Sequence, residues 1–158
     1  MIETTRCELT TLQSCDFDLV VKLYTNAEVR RFLGGVVNRH STRLRFLKML
    51  ESGIRTQYWV IRVKNNNSSI GIVSLGKHHN KIDTEISYQL MPEWWRKGYG
   101  TEATKAVVTY GLTVLNLSRV IAETQIDNAA SCRLLKRIGM RLELTVERFG
   151  AKQGIFTT

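Results

Sequence analysis

Between Tyr58 and Leu90 the chain carries three strand-like segments with almost nothing between them, and no other feature constrains the fold as tightly. Tyr58–Val63 (YWVIRV) is short and nearly all apolar, the pattern of a strand covered on both faces. A polar, turn-like stretch follows over residues 64–69 (KNNNSS), and residues 69–75 (SIGIVSL) read as the second arm of a hairpin. Residues 82–90 (IDTEISYQL) then alternate, with Ile82, Thr84, Ile86, Tyr88 and Leu90 on one face and Asp83, Glu85, Ser87 and Gln89 on the other. Short turns between consecutive strands predict antiparallel neighbours. A sheet with apolar residues on both faces needs helices to cover it.

The flanking sequence supplies them. Residues 3–12 (ETTRCELTTL) predict a first strand, and Ser14, Cys15 and Asp16 offer caps for a short helix over FDLVVKLY. Residues 41–51 predict an amphipathic helix with Leu44, Leu47, Met49 and Leu50 inward, stopped by Gly53. After Leu90 come a helix over 101–114 (Ala103, Ala106, Val107, Tyr110 and Val114 at helical spacing) and a strand over 119–124. A helix over 128–138 follows, with Ala130, Leu134, Leu135 and Ile138 inward and Gly139 as its stop, and then a strand over 140–146. The expectation is an α/β domain: a mixed, mostly antiparallel central sheet with helices on its faces, over residues 1–158 as a single unit. No repeat or low-complexity linker divides it.

Charge and cysteine usage narrow the partners. Lys plus Arg number 23 against 14 Asp plus Glu, a formal net charge of +9 that favours an anionic partner. The basic stretches RRF (30–32) and RLRFLK (43–48) are either solvated helix faces or guides for an acidic peptide or ribosomal RNA. No basic motif interleaved with aromatics supports a dedicated nucleic-acid binder. Cys7, Cys15 and Cys132 form no Cys-x-x-Cys pair, and His40, His78 and His79 stand at no ligand spacing to them. Reduced thiols and no metal site are therefore expected. The N-terminal residues lack the apolar stretch of a signal peptide, and no apolar run approaches the ~18 residues of a membrane span. A soluble, cytoplasmic protein is expected.

The chemistry concentrates in LMPEWWRKGYGTEA (90–103): a strand ends, a loop with Gly98, Gly100, Arg96 and Lys97 follows, and a helix begins at once. The first turn of a helix presents free N–H groups and partial positive charge, and glycines let the backbone approach an anion closely. Together with two full positive charges this makes a phosphate site. The spacing is neither that of a P-loop nor that of a dinucleotide fingerprint; on its glycines alone it is equally an ordinary strand-to-helix turn.

WWRKGYGTEA on a strand-to-helix turn resembles the acyl-CoA pyrophosphate loop of the GCN5-related N-acetyltransferase (GNAT) superfamily, most closely its RimJ/RimL branch. The superfamily pattern is Gln/Arg-x-x-Gly-x-Gly/Ala; Trp95 stands at the first position, as is usual in that branch. A second match, NAASCRLLKRIGM (128–140), resembles the family's N-x-x-S…L-x-K-x-G-F/M helix beside the CoA arm. The resemblance spans essentially the whole chain. It implies transfer of an acetyl group from acetyl-CoA, with no metal, to a primary amine: a protein N-terminus or a small-molecule amine. The alternative is an acyl-CoA-binding sensor without turnover. The cofactor would lie where the parallel strands ending near Leu90 and Thr124 splay apart.

The resemblance also assigns residues. Amides of Arg96, Gly98, Gly100 and Thr101 would hold the pyrophosphate, with Lys97, Tyr99 and Lys136 at the same cofactor site. Backbone groups of Leu90 and Met91 would pair with the pantetheine arm, a backbone N–H near Met91 serving the oxyanion. Glu85, thirteen residues before Gly98, is the candidate base; the other reading is a solvated strand carboxylate. Ser131 is the candidate partner of the CoA thiolate, or else a helix-surface hydroxyl. Asn128 would contact pantetheine, cap its helix, or both. Cys132 is read as packing. Tyr88, Trp94 and Trp95 either pack or line the acceptor pocket. His78 and His79 are read as a solvated turn, with a substrate contact or base as the alternative. Family members continue through another strand where this chain has only GAKQGIFTT (150–158), so a shortened last strand, or one completed by a partner chain in a homodimer, is expected.

Overall fold

The computed structural model describes residues 1–53 and 55–158. Eight strands form one sheet: β1 (Ile2–Glu3), β2 (Cys7–Thr11), β3 (Thr56–Val63), β4 (Ser69–Lys77), β5 (Thr84–Leu90), β6 (Ile121–Gln125), β7 (Arg141–Arg148) and β8 (Ala151–Thr157). Their spatial order is β1-β2-β3-β4-β5-β6-β8-β7. All neighbours are antiparallel except β5 and β6. The helices are α1 (Phe17–Thr25), α2 (Ala27–Arg30), α3 (Arg39–Glu51), α4 (Tyr99–Thr113) and α5 (Ala129–Arg137).

Strand alternation distributes the core over two faces. Trp59, Ile61, Val63, Leu75, Ile86 and Leu90 pack with Ala103, Val107 and Leu135 of α4 and α5, while Val60 and Ile72 pack with Leu19, Val20, Leu23, Phe46 and Met49 of α1 and α3. Each fully buried Val, Leu, Ile, Phe or Met side chain among these contributes about 1.5–3 kcal/mol over leaving it in water. Between Ile61 and Arg62 the β3–β4 register slips, with Ile61 opposite Gly71 and Arg62 opposite Ser69. Ile70 is the extra residue of this bulge. That is why Ile70 joins the same core as Val73 and Leu75 despite the parity of its position.

Four expectations change. The first strand is broken into β1 and β2. In α3 the buried residues are Thr42, Phe46 and Met49, while Leu44, Leu47 and Leu50 are exposed, so the helix rests on a narrower face than its leucines suggest. Ile82, Val114 and Ala130 also face solvent: Ile82 precedes β5, Val114 follows the last turn of α4, and Ser131 takes the inward place on α5. The last segment is not a stub. Ala151–Thr157 is a seven-residue strand inserted between β6 and β7 and registered with both. No partner chain is needed to complete the sheet there, and the edge on that side is β7.

Candidate active site

Strands β5 and β6 are parallel neighbours that register only at Glu85–Ile121. Beyond that pair they part. The hydrogen-bonding parity of β5 decides which backbone groups face the gap. The Met91 N–H donates to the Ile70 carbonyl at 2.9 Å. By antiparallel alternation, residues 85, 87, 89 and 91 aim their backbone groups at β4, and Tyr88 and Leu90 aim theirs at the gap. The Leu90 carbonyl accepts from the Trp95 indole Nε1 at 2.8 Å. The Met91 carbonyl accepts from the Trp94 N–H at 3.0 Å. Both backbone groups of Met91 are thus engaged, against the expectation that they serve the pantetheine arm and the oxyanion. The β4–β5 register is the reason: continued one pair past Gly71–Leu90, it sets the Ile70 carbonyl opposite Met91. The Leu90 N–H keeps the required direction.

The loop after β5 leads into α4. The first bond of the helix runs from the Glu102 N–H to the Gly98 carbonyl at 3.0 Å, so the amides of Tyr99, Gly100 and Thr101 precede it. Gly98 caps the helix at φ +84° and Arg96 sits at φ +60°, two left-handed residues that turn the chain back over the helix end. A Cβ at Gly98 would lie 3.1 Å from Arg6 Nη2. The side chains of Arg96 and Lys97 are exposed. The Tyr99 ring instead packs edge-on against Trp94 at 5.3 Å, with the Arg6 guanidinium 4.3 Å above it.

Arg6 itself is absent from the residues singled out by sequence. Its Nη1 donates to the Lys97 carbonyl at 2.9 Å, and its Nε and backbone N–H each donate to Glu102 at 2.7 Å. Burial pushes the Glu102 carboxyl up, but hydrogen bonds from Thr4 and Arg6 and the Arg6 charge bring it below its ordinary value. A lone arginine before a strand carries no signal that it will fasten a loop some ninety residues away.

On the α4–α5 face of the gap, the Tyr88 hydroxyl lies 2.7 Å from Ser131 Oγ. Ser131 is buried, and Asn128 Oδ1 caps α5 by accepting from the Ser131 N–H at 3.2 Å. Burial drives the Tyr88 hydroxyl up to about 12, with the Ser131 bond pulling the other way. It therefore stays protonated at any physiological pH. Cys132 lies 3.8 Å and 3.7 Å from the carbonyls of Gln125 and Ile126 and packs beside the core. Lys136 stands in the last turn of α5 with its side chain exposed, and its carbonyl takes the Ile138 and Gly139 N–H groups.

The opposite face is carboxylate-rich. Parallel registration puts Glu85, Ile121 and, two residues on, Glu123 on one side of the sheet. Burial raises the Glu85 carboxyl; His78 lowers it, Glu123 raises it, and the Glu123 backbone and Arg148 lower it further. The net direction is upward, so Glu85 is no solvated strand carboxylate. Nor are the two histidines a simple solvated turn: His78 is only 4% exposed, and its Nε2 lies 2.7 Å from Glu123 Oε2. Arg148 Nη1 donates to the same oxygen at 3.1 Å. His79 stays half-open, its Nδ1 3.8 Å from that oxygen. Glu123 Oε2 is thus the shared partner of His78, His79 and Arg148.

The arrangement fits a thioester cofactor: an unpaired strand edge for an extended arm, a helix mouth with three unbonded amides for a diphosphate, and a protonated hydroxyl pair between them. Comparison with known proteins agrees. The acetyltransferase (GNAT) domain family matches residues 6–141, and the chain belongs to that family of acetyl-CoA-dependent N-acetyltransferases. Among curated relatives, the uncharacterized N-acetyltransferase YoaA of Bacillus subtilis (strain 168) is 30% identical, the match covering 98% of this chain and 90% of YoaA. Solved structures share the fold at lower identity. Spermidine N-acetyltransferase from Vibrio cholerae, in complex with CoA and spermine, superposes with a TM-score of 0.85 at 17% identity, covering 98% of this chain and 95% of that one. A Salmonella typhimurium acetyltransferase that modifies the N-terminal serine of ribosomal protein L7/L12 gives 0.83 at 16% identity, covering 98% and 95%.

Proposed function

We propose that this chain is an acetyltransferase of RimJ/RimL type whose acceptor is a primary amine, either a protein N-terminus or a small-molecule amine, and which uses the two faces of the β5–β6 gap for opposite halves of the reaction. The observation that carries this reading is the splay itself, with the Tyr88–Ser131 hydroxyl pair on one face and the half-buried Glu85 on the other. When bound, acetyl-CoA supplies the acetyl group as an activated thioester.

The chain's own residues divide the remaining work. The amides of Gly98, Tyr99, Gly100 and Thr101, with the Arg96 and Lys97 charges, hold the pyrophosphate. The Leu90 N–H, next to Met91, serves as the backbone donor beside the reacting carbonyl. Tyr88, kept protonated by burial and oriented by Ser131, carries the proton for the departing sulfur. Glu85, raised toward neutrality by burial, takes the proton of the amine. A general base works best when its own value lies near the working pH, and upward is the useful direction for a carboxylate.

The test is thiol release from acetyl-CoA against a panel of N-terminal peptides, polyamines and amino acids. Release with at least one amine is expected, with an acid limb in the pH profile of kcat/KM that disappears in Glu85→Gln. Thiol release with no member of the panel would overturn the amine reading, and an intact limb in Glu85→Gln would remove Glu85 as the base.

A further inference from the structure

The two carboxylate oxygens of Glu123, beside the gap, are treated unequally. Oε2 receives His78 and Arg148, whereas Oε1 is buried and has no hydrogen-bond partner. The side chain is only 6% exposed. An orphaned carboxylate oxygen in such a place costs roughly 1–3 kcal/mol or more unless a donor arrives. The clamp on Oε2 is firm. His78 Nδ1 lies 3.3 Å from the Asn80 N–H and its Nε2 2.7 Å from Glu123 Oε2. Asn80 is fastened in turn to Asp83 at 2.8 Å, and Asp83 to Arg119 at 2.7 Å. The β4–β5 turn and β7 thus hold one oxygen of Glu123 and leave the other without a partner, on the same sheet face as the candidate base.

We propose that Glu123 is a second acceptor-side carboxylate, whose Oε1 receives an N–H of the incoming ammonium while Glu85 takes its proton, with His78 and Arg148 as positioning residues. The inference rests on the reading of Glu85 as base and extends it: the acceptor is recognised as a cation before it is deprotonated. An ammonium has three N–H donors and one charge, which suits two carboxylates on one face; a neutral alcohol offers a single donor and no charge. In the proton transfer, the N–H bond breaks, an O–H bond forms on Glu85, and the nitrogen keeps the electron pair with which it attacks the acyl carbon.

The charged groups acting on Glu85 are His78 from the β4–β5 turn, Glu123 from β6 and Arg148 from β7, with His79 beside Glu123 and the Asp83–Arg119–Glu143 ion pairs beyond. Their signs make the test directional. Removing the Glu123 charge lets Glu85 lose its proton at lower pH, whereas removing His78 makes it hold on to higher pH. The experiment is carboxyl-carbon NMR of the protein saturated with coenzyme A, with the Glu85 and Glu123 signals assigned through Glu85→Gln and Glu123→Gln. n-Butylammonium is the probe and n-butanol its neutral counterpart. The Glu123 signal is expected to shift with n-butylammonium and not with n-butanol. The Glu85 midpoint is expected to move down in Glu123→Gln and up in His78→Phe, with His78→Gln, which keeps an N–H donor, retaining the ammonium response. A Glu123 signal indifferent to n-butylammonium, or responding equally to n-butanol, would overturn the proposal. So would a Glu85 midpoint unmoved in both variants. These readouts need no turnover, so they fail separately from the base assignment, which stands or falls with the kinetic limb.

Discussion

The two faces of β5 are built on opposite electrostatic principles. Towards α4 and α5, Tyr88 and Ser131 are hydroxyls bonded to each other, with the Tyr88 ring packed against the cluster that holds Ile86, Leu90 and Leu135. Towards the other face, Glu85 and Glu123 are carboxylates held among His78, His79 and Arg148. Burial acts on both, but with different consequences. It fixes the tyrosine as a permanent donor, near 12, and moves the glutamate upward, toward the range where it can exchange a proton. A strand whose successive side chains alternate sides needs only three residues, from 85 to 88, to pass from a proton acceptor to a proton donor.

The comparison can be broken from either side. The largest effect is expected at the entrance both faces share. Gly98→Glu puts a carboxylate, at a left-handed residue, into the phosphate cradle; coenzyme A binding measured by calorimetry should be lost while circular dichroism stays native. Tyr88→Phe should lower kcat by about 10²–10⁴-fold, the range of a general acid, with coenzyme A affinity little changed. An equal fall in affinity would mean the hydroxyl only packs. Ser131→Ala should cost less, about fivefold in kcat, since it removes one net hydrogen bond of about 1 kcal/mol and leaves Tyr88 to reorient. The smallest effect is on stability at low pH. Glu102 and Asp83 lie below their ordinary values in the folded chain, held by Thr4 and Arg6 and by Arg119 respectively. Depressed carboxylates contribute stability that is present above their unfolded values, about 4, and is lost as pH falls through the folded ones. Melting temperature should therefore decline below about pH 4, and Arg6→Ala should flatten part of that decline. Glu85, shifted the other way, works against this slope and cannot produce it.

Much of this was legible in the residues, and the exceptions share a cause. Strands β3 to β5, the loop from Trp95 to Thr101 and the cap at Asn128 are local patterns, and short-range rules find them. Long-range pairings are invisible to such rules. Arg6 on Lys97, His78 on Glu123 and Tyr88 on Ser131 join residues 91, 45 and 43 positions apart. Met91 looked available because the strand was read as ending at Leu90, whereas the β4–β5 register continues one pair further and sets the Ile70 carbonyl opposite it. In α3 the fault lay with composition: leucines suggested an inward face, while Thr42, Phe46 and Met49 are the residues that meet α1 and the sheet.

The Arg6 contact carries a consequence for how ligand occupancy should register elsewhere. Because one guanidinium grips the Lys97 carbonyl, lies over Tyr99 and shares Glu102 with its own amide, ordering the helix mouth also orders the turn between β1 and β2. Deuterium uptake at the amides of Arg6 and Cys7 should slow when coenzyme A is added, although nothing in that turn need touch the nucleotide. The opening residues would then serve as a remote gauge of whether the diphosphate has docked.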